Sequence, residues 1–269
     1  MSSLNFILTL TFCILLFFAS GQEEIKKYIQ EKAIQIKTID PEDSNNSDLE
    51  VIGKAIGDAK IVMLGEQDHG DAPGYFAKTR LIKYLHEMKG FNVVAFENDF
   101  FNTNYKWEFV KEGKLNIDSF VKMDISITWA SCGVSSFFFS DYIPSVFKTN
   151  NRIEISGIDD ETATPQALPI LDSLLQSLKI PLAQSSKYFS EIKPLLATWY
   201  NYTSDTLTMD KIIGYYREIK VEMLEKLSND DFWVITVENL IQQNIRYRNW
   251  KKDHWKDANS RDRQMAVNL

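Results

Sequence analysis

Residues 60–97 read KIVMLGEQDHGDAPGYFAKTRLIKYLHEMKGFNVVAFE. Lys60–Leu64 is a short apolar run of the buried-strand type, followed by a loop over Gly65–Ala72. Pro73 suits the first turn of a helix and Gly90 its end, the usual asymmetry of proline inside the start and glycine past the finish. Phe91–Phe96 reads as a second buried strand, ending at Glu97. Strand, loop, helix and strand in this order predict a βαβ unit, a parallel pair joined by a right-handed crossover.

Outward from that unit the pattern continues. Upstream, Pro41–Asp48 is a polar loop in which Asp48 is placed to cap a short helix through Ile56. Downstream, Arg152–Ser156 is a third strand candidate leading into Gly157-Ile158-Asp159-Asp160. From Thr164 onward the text is long, periodic and poor in glycine, with no strand signal. The expected fold is therefore α/β. A mainly parallel sheet flanked by helices runs to about Glu161, and a helical region covers 164–269.

The chain opens on Met1–Gly21, which carries no charged side chain and holds an almost wholly apolar run from Phe6 to Phe18. Ala19-Ser20-Gly21 follows, then polar Gln22-Glu23-Glu24, the pattern of a secretory signal peptide. The run is shorter than the ~20 apolar residues a membrane span needs. This predicts cleavage after Gly21, a secreted or periplasmic product and no stable membrane insertion. Residues 22–269 are then expected to form one domain. Apolar residues make up 44% of the chain, enough for a buried core. The net charge of −7 argues against nucleic acid as a partner, since phosphate binding calls for a basic patch. Of the two cysteines, only Cys132 follows the leader. No disulfide within the mature chain and no cysteine-rich zinc site is expected, and Cys132 itself reads as a buried structural thiol.

Ligands of open α/β sheets bind at the carboxyl ends of the strands. The three predicted strands end in Gly65-Glu66, Glu97-Asn98-Asp99 and Gly157-Ile158-Asp159. Carboxylates would thus collect on one rim, with His69 in the first loop, where a neighbouring carboxylate could fix its tautomer. Helical projection of Pro73–Lys89 gives an apolar face of Ala77, Leu81, Tyr84, Leu85 and Met88. On it His86 falls on the solvent side, while Lys78 and Arg80 lie at the two margins. Either cation could reach over the sheet edge toward an anion or snorkel at the surface. His254, among the charges of Lys251–Lys256, is expected to be exposed. Ser136–Ser140 (SFFFS) reads as core. No G-x-S-x-G elbow, phosphate-binding P-loop or H-E-x-x-H motif occurs, so serine-nucleophile, nucleotide and zincin chemistry lack support.

Leu64-Gly65-Glu66-Gln67-Asp68-His69-Gly70 resembles the LGE-x-x-HG segment of the erythromycin esterases. Gly90–Glu97 resembles their GF-x-x-x-A-x-E strand, Gly157-Ile158-Asp159 their G-x-D strand end, and Arg261–Asn268 their RD-x-x-MA-x-N helix. The resemblance implies hydrolysis of an ester, a macrolactone among the candidates, by water activated on a histidine. It implies no covalent intermediate, no cofactor and no obligatory metal. His69 would be the general base, with Glu66 and Glu97 orienting it and balancing its charge. Lys78 matches the basic residue of the family's site, Arg80 stands second, and Asp159 completes the substrate-binding set. The family's HN-x-H strand follows the last matched helix, so the resemblance also implies that this chain is part of a longer protein. Two other readings use the same residues. One is a binding protein for haem or another small ligand, and the other a metal-dependent hydrolase with Glu66, His69, Glu97 and Asp159 as ligands.

Overall fold

The computed structural model describes residues 23–65, 71–130, 133, 135–161, 164–198, 205–249 and 254–269. The expected leader at Met1–Gly21, the site candidates Glu66 and His69, and Cys132 lie outside the described residues. The chain divides into two compact units, one ending at Leu64 and one beginning at Gly65. No helix of the described residues is long and apolar enough to cross a membrane.

The first unit holds α1 (23–32) and α2 (Glu50–Ile56). Between them Asp40 and Asp43 accept the backbone N–H groups two residues on, of Glu42 at 2.9 Å and Asn45 at 2.8 Å. These are the local bonds by which Asp and Asn shape turns. Asp48 departs from its expected capping role: it accepts the Lys37 N–H at 2.7 Å, and α2 has no side-chain cap. Lys60–Leu64 departs further. It is not a strand, and Ile61 and Met63 are exposed. An apolar pentapeptide becomes a strand only where another backbone takes its N–H and C=O groups. Among the described residues that ladder belongs to two other segments.

The second unit opens on α3 (Ala72–Lys89), with proline in its first turn and Gly90 in the left-handed conformation at its end. β1 (Val93–Asp99) follows, and the Asp99 carboxylate caps α4 (Phe100–Lys111) by accepting the Asn102 N–H at 3.1 Å. Asn116 caps α5 (Ile117–Asp124) in the same manner. Next come α6 (Ile127–Ala130), a π-helical turn over Phe137–Tyr142, α7 (Ile143–Phe147) and β2 (Glu154–Asp159). β1 and β2 pair in parallel, Val93 opposite Glu154 through Phe96 opposite Gly157, with an irregularity before Asp99 meets Asp159. The parallel pair is thus β1 with β2, reached through α4 to α7, and not β1 with 60–64 through α3.

Trp107, Phe120, Phe138, Phe139, Ile143 and Ile155 pack into one core around this pair, so the phenylalanines of the SFFFS stretch face inward while Ser140 is exposed. α4 lies close against β2 because Gly157 has no side chain. A Cβ there would meet the Thr103 hydroxyl of α4 at 2.7 Å and, at the end of β1, the backbone oxygens of Asp99 at 2.5 Å and Asn98 at 2.7 Å.

The rest is helical: α8 (Thr164–Ser177), α9 (Pro181–Gln184), a π-helical turn over Tyr188–Ile192, α10 (Lys193–Ala197), α11 (Thr206–Met223), α12 (Phe232–Asn249) and α13 (His254–Asn268). In α11 the buried residues Met209, Ile212, Ile213, Tyr216, Ile219 and Met223 recur at the spacing of one helix face. They form a second core with Leu171, Ile180, Val237 and Leu240. Phe232, at the start of α12, stacks on Phe100 and Phe101 of α4, with ring centres 5.6 and 5.9 Å apart.

α3 is covered on more than one side, and this corrects its expected apolar face. Tyr75, Thr79, Arg80, Tyr84, Leu85 and His86 are buried, while Met88 is exposed. Ile82 joins the sheet-side core, so the stripe Tyr75, Thr79, Ile82 and His86 is an inner seam. His86 is therefore no solvent histidine. It is 3% exposed, with Nδ1 2.8 Å from the Tyr142 hydroxyl. That hydroxyl donates to Glu87 at 3.0 Å, which assigns the Nδ1 proton to His86 as donor. His254 opens α13, but its side chain lies outside the described ones.

Candidate active site

β1 and β2 run parallel, so their carboxyl ends bring Glu97, Asn98 and Asp99 beside Asp159, Asp160 and Glu161. Side chains alternate across a strand, and the three residues at the end of β1 serve different purposes. Asn98 is buried as a structural amide. It donates to Thr103 Oγ1 at 2.5 Å and to the Asp124 carbonyl at 2.9 Å, and accepts the Ser126 N–H at 2.9 Å. Asp99 caps α4. Glu97 has neither of these roles, and its backbone carbonyl accepts from Trp129 Nε1 at 2.7 Å.

The carboxylates of Glu97 and Asp159 meet on one guanidinium, that of Arg261 in α13. Arg261 Nε donates to Asp159 Oδ1 at 3.0 Å and Nη2 to Asp159 Oδ2 at 2.5 Å, a bidentate fork. The same Nη2 also donates to Glu97 Oε1. The Asp159 side chain is 7% exposed and both its oxygens are engaged, whereas Glu97 is 32% exposed. Of the two, Glu97 is the carboxylate more open to solvent. Burial opposes the charge of Arg261, but the hydrogen bonds and charges of Asp159 and then Glu97 outweigh it and raise its pKa.

A second ion pair lies deeper. Asp160 is fully buried with Oδ1 2.8 Å from Nη1 of Arg246, which α12 supplies. The other terminal nitrogen of Arg246 donates to Glu161 at 3.1 Å. Burial pushes the Asp160 carboxyl up to about 7, the Arg246 charge pulling against it and the Asp159 charge adding to it.

Of the residues picked from the sequence, Glu97 and Asp159 are thus brought together. Lys78 and Arg80 sit on α3. Lys78 is half-buried with its ammonium 5.1 Å from the centre of the Tyr75 ring, and Arg80 is wholly buried, which excludes a snorkelling surface role for it. Glu66 and His69 lie outside the described residues. Sequence reasoning missed Arg261, Arg246 and Asp160 as members of the cluster. Arg261 was visible as the first residue of its matched helix, while Arg246 carried no signal at all. Among the described residues no group of His, Cys, Asp or Glu is arranged to hold a metal ion.

No family model matches the chain. It is 32% identical over 121 residues to the Bacillus subtilis (strain 168) protein named "Putative hydrolase YbfO", a match over 45% of this chain and 26% of that protein. Three solved structures share its fold. A Bacillus cereus protein matches with a TM-score of 0.64 and 20% identity, over 91% of this chain and 62% of that one. A succinoglycan biosynthesis protein matches at 0.64 and 21%, over 93% and 62%. The erythromycin esterase EreC, as a mutant in its open conformation, matches at 0.65 and 18%, over 86% and 61%. The chain spans about a quarter of its curated relative and about three fifths of these solved neighbours. At such identities the solved structures establish the fold alone: mixed α/β, shared with an erythromycin esterase.

Proposed function

We propose that the protein is an exported hydrolase that cleaves an ester, with a macrolactone as the first substrate to assay. His69 takes a proton from water, and the hydroxide so formed attacks the ester carbonyl. Glu66 orients the imidazole, and Glu97 balances the imidazolium. Collapse of the tetrahedral intermediate expels the alkoxide, which takes the proton back from His69. The observation that carries this reading is Glu97: a carboxylate at the carboxyl end of a parallel strand, tied to Arg261 yet partly open to solvent. The relative named as a hydrolase and the fold shared with EreC support it.

The test is acid release by the full-length protein from a panel of linear and cyclic esters, before and after chelation. Hydrolysis of at least one ester, without a first-turnover burst and undiminished by chelator, is the expected result. Loss of all hydrolysis on chelation would transfer the site to metal chemistry. Export has its own test. The mature protein should begin at Gln22, and recovery of secreted material that retains Met1 would contradict the leader.

A further inference from the structure

We propose that Arg261 is a positioning residue of the hydrolytic site, its guanidinium fixing the Glu97 carboxylate at the sheet rim by bridging it to Asp159. The inference rests on the hydrolytic reading of Glu97 given above. Its geometry is a relay of constraint. Asp159 ends a paired strand, is nearly buried, and accepts the Glu161 N–H at 3.2 Å as well as the Arg261 fork. The guanidinium is planar and held at two atoms by Asp159, so the direction of its remaining bond is set by the sheet. That bond goes to Glu97, the more exposed of the two carboxylates. A flexible glutamate is thereby held ready before substrate arrives, and the two like charges at the strand ends share one cation.

The plainer role for Arg261 is to staple α13 to the sheet. α13 already has another staple that does not touch Glu97. Asn268 donates to the Ile158 carbonyl at 2.8 Å and to Asn239 Oδ1 at 2.8 Å, and accepts from Gln264 at 2.9 Å. The two tasks can therefore be separated by mutation.

The experiment measures kcat, KM and melting temperature for ester hydrolysis by five full-length variants: Arg261→Gln, Arg261→Lys, Glu97→Gln, the double variant Arg261→Gln/Glu97→Gln, and Asn268→Ala. Loss of a residue that orients a catalytic group typically lowers activity about 10- to 100-fold. Arg261→Gln should do so mainly in kcat, Arg261→Lys should lose less, and free guanidinium should restore part of the Arg261→Gln rate. The double variant should be no slower than Glu97→Gln alone, as expected of residues that act as a unit. Asn268→Ala should lower the melting temperature and leave kcat near wild type. A slow Glu97→Gln beside a normal or fully additive Arg261→Gln overturns the positioning role and leaves the hydrolytic reading standing. A normal Glu97→Gln removes both. Should Arg261→Gln fail to fold, Arg261→Lys decides: a normal kcat in that variant overturns the proposal.

Discussion

Replacing His69 with alanine is expected to lower kcat for ester hydrolysis by about 10²–10⁴ while leaving the melting temperature near wild type. The role assigned to His69 is to remove a proton from water in the transition state. The melting temperature is the control that separates loss of the base from damage to the fold. The natural comparison is His86, and the structure changes what that comparison should give. A solvent histidine would be silent on mutation. The observed His86 is buried and bonded to Tyr142. His86→Ala should therefore lower stability by about 1–3 kcal/mol, through the lost hydrogen bond to Tyr142 and the cavity left by a buried ring. One substitution should change turnover and the other the melting curve. Equal loss of turnover from both would contradict the assignment of His69.

The largest effect on stability is expected from Arg246→Met, and it should depend on pH. Arg246 and Asp160 are both buried. Breaking such a pair by removing one partner costs about 3–5 kcal/mol, because the remaining charge has no compensation. The folded-state value for Asp160, about 7, lies above its ordinary 3.8. Between those values the folded protein binds the extra proton, so this group's contribution to stability falls as pH rises from about 4 to about 7. Arg246 is the largest influence opposing that rise. Its removal extends the falling region to higher pH. Denaturant unfolding should accordingly find a small deficit for Arg246→Met near pH 5 and the full deficit near pH 8.5. An equal deficit at both pH values would mean that the lost energy is packing and not the Asp160 charge.

What was legible in the sequence was local. Pro73 and Gly90 marked α3 because proline and glycine act through their own backbone angles. Phe91–Phe96 and Arg152–Ser156 read as strands, and each found its partner in the other. Lys60–Leu64 is as apolar as Phe91–Phe96 but has no strand partner among the described residues, and composition cannot supply one. The face of α3 was misread because a single apolar stripe was assumed. A helix covered on several sides buries Thr79, Arg80 and His86 along with its aliphatic residues.

The site divides along the same line. Glu97 and Asp159 were visible because strand ends are visible. The cations that hold the cluster are not local. Arg246 lies 85 residues from Glu161, and Arg261 lies 102 from Asp159. No spacing rule links such pairs. Arg261 surfaced only through a matched helix motif, and Arg246 only through the folded chain.

Glu97 is the residue on which the proposed chemistry turns, and one paired measurement tests it: melting temperature and ester hydrolysis for Glu97→Gln in the full-length protein. Glutamine keeps the size of the side chain and an oxygen that can still accept from Arg261, so the fold should hold and the melting temperature should stay close to wild type. The charge that would balance the His69 imidazolium is gone. Loss of a preorganised charge of this kind slows turnover by about 10²–10³. A stable protein that turns over about 10²–10³ more slowly is the predicted result. A Glu97→Gln variant that hydrolyses ester at the wild-type rate would contradict the account, removing Glu97 from the chemistry and leaving it a strand-end partner of Arg261.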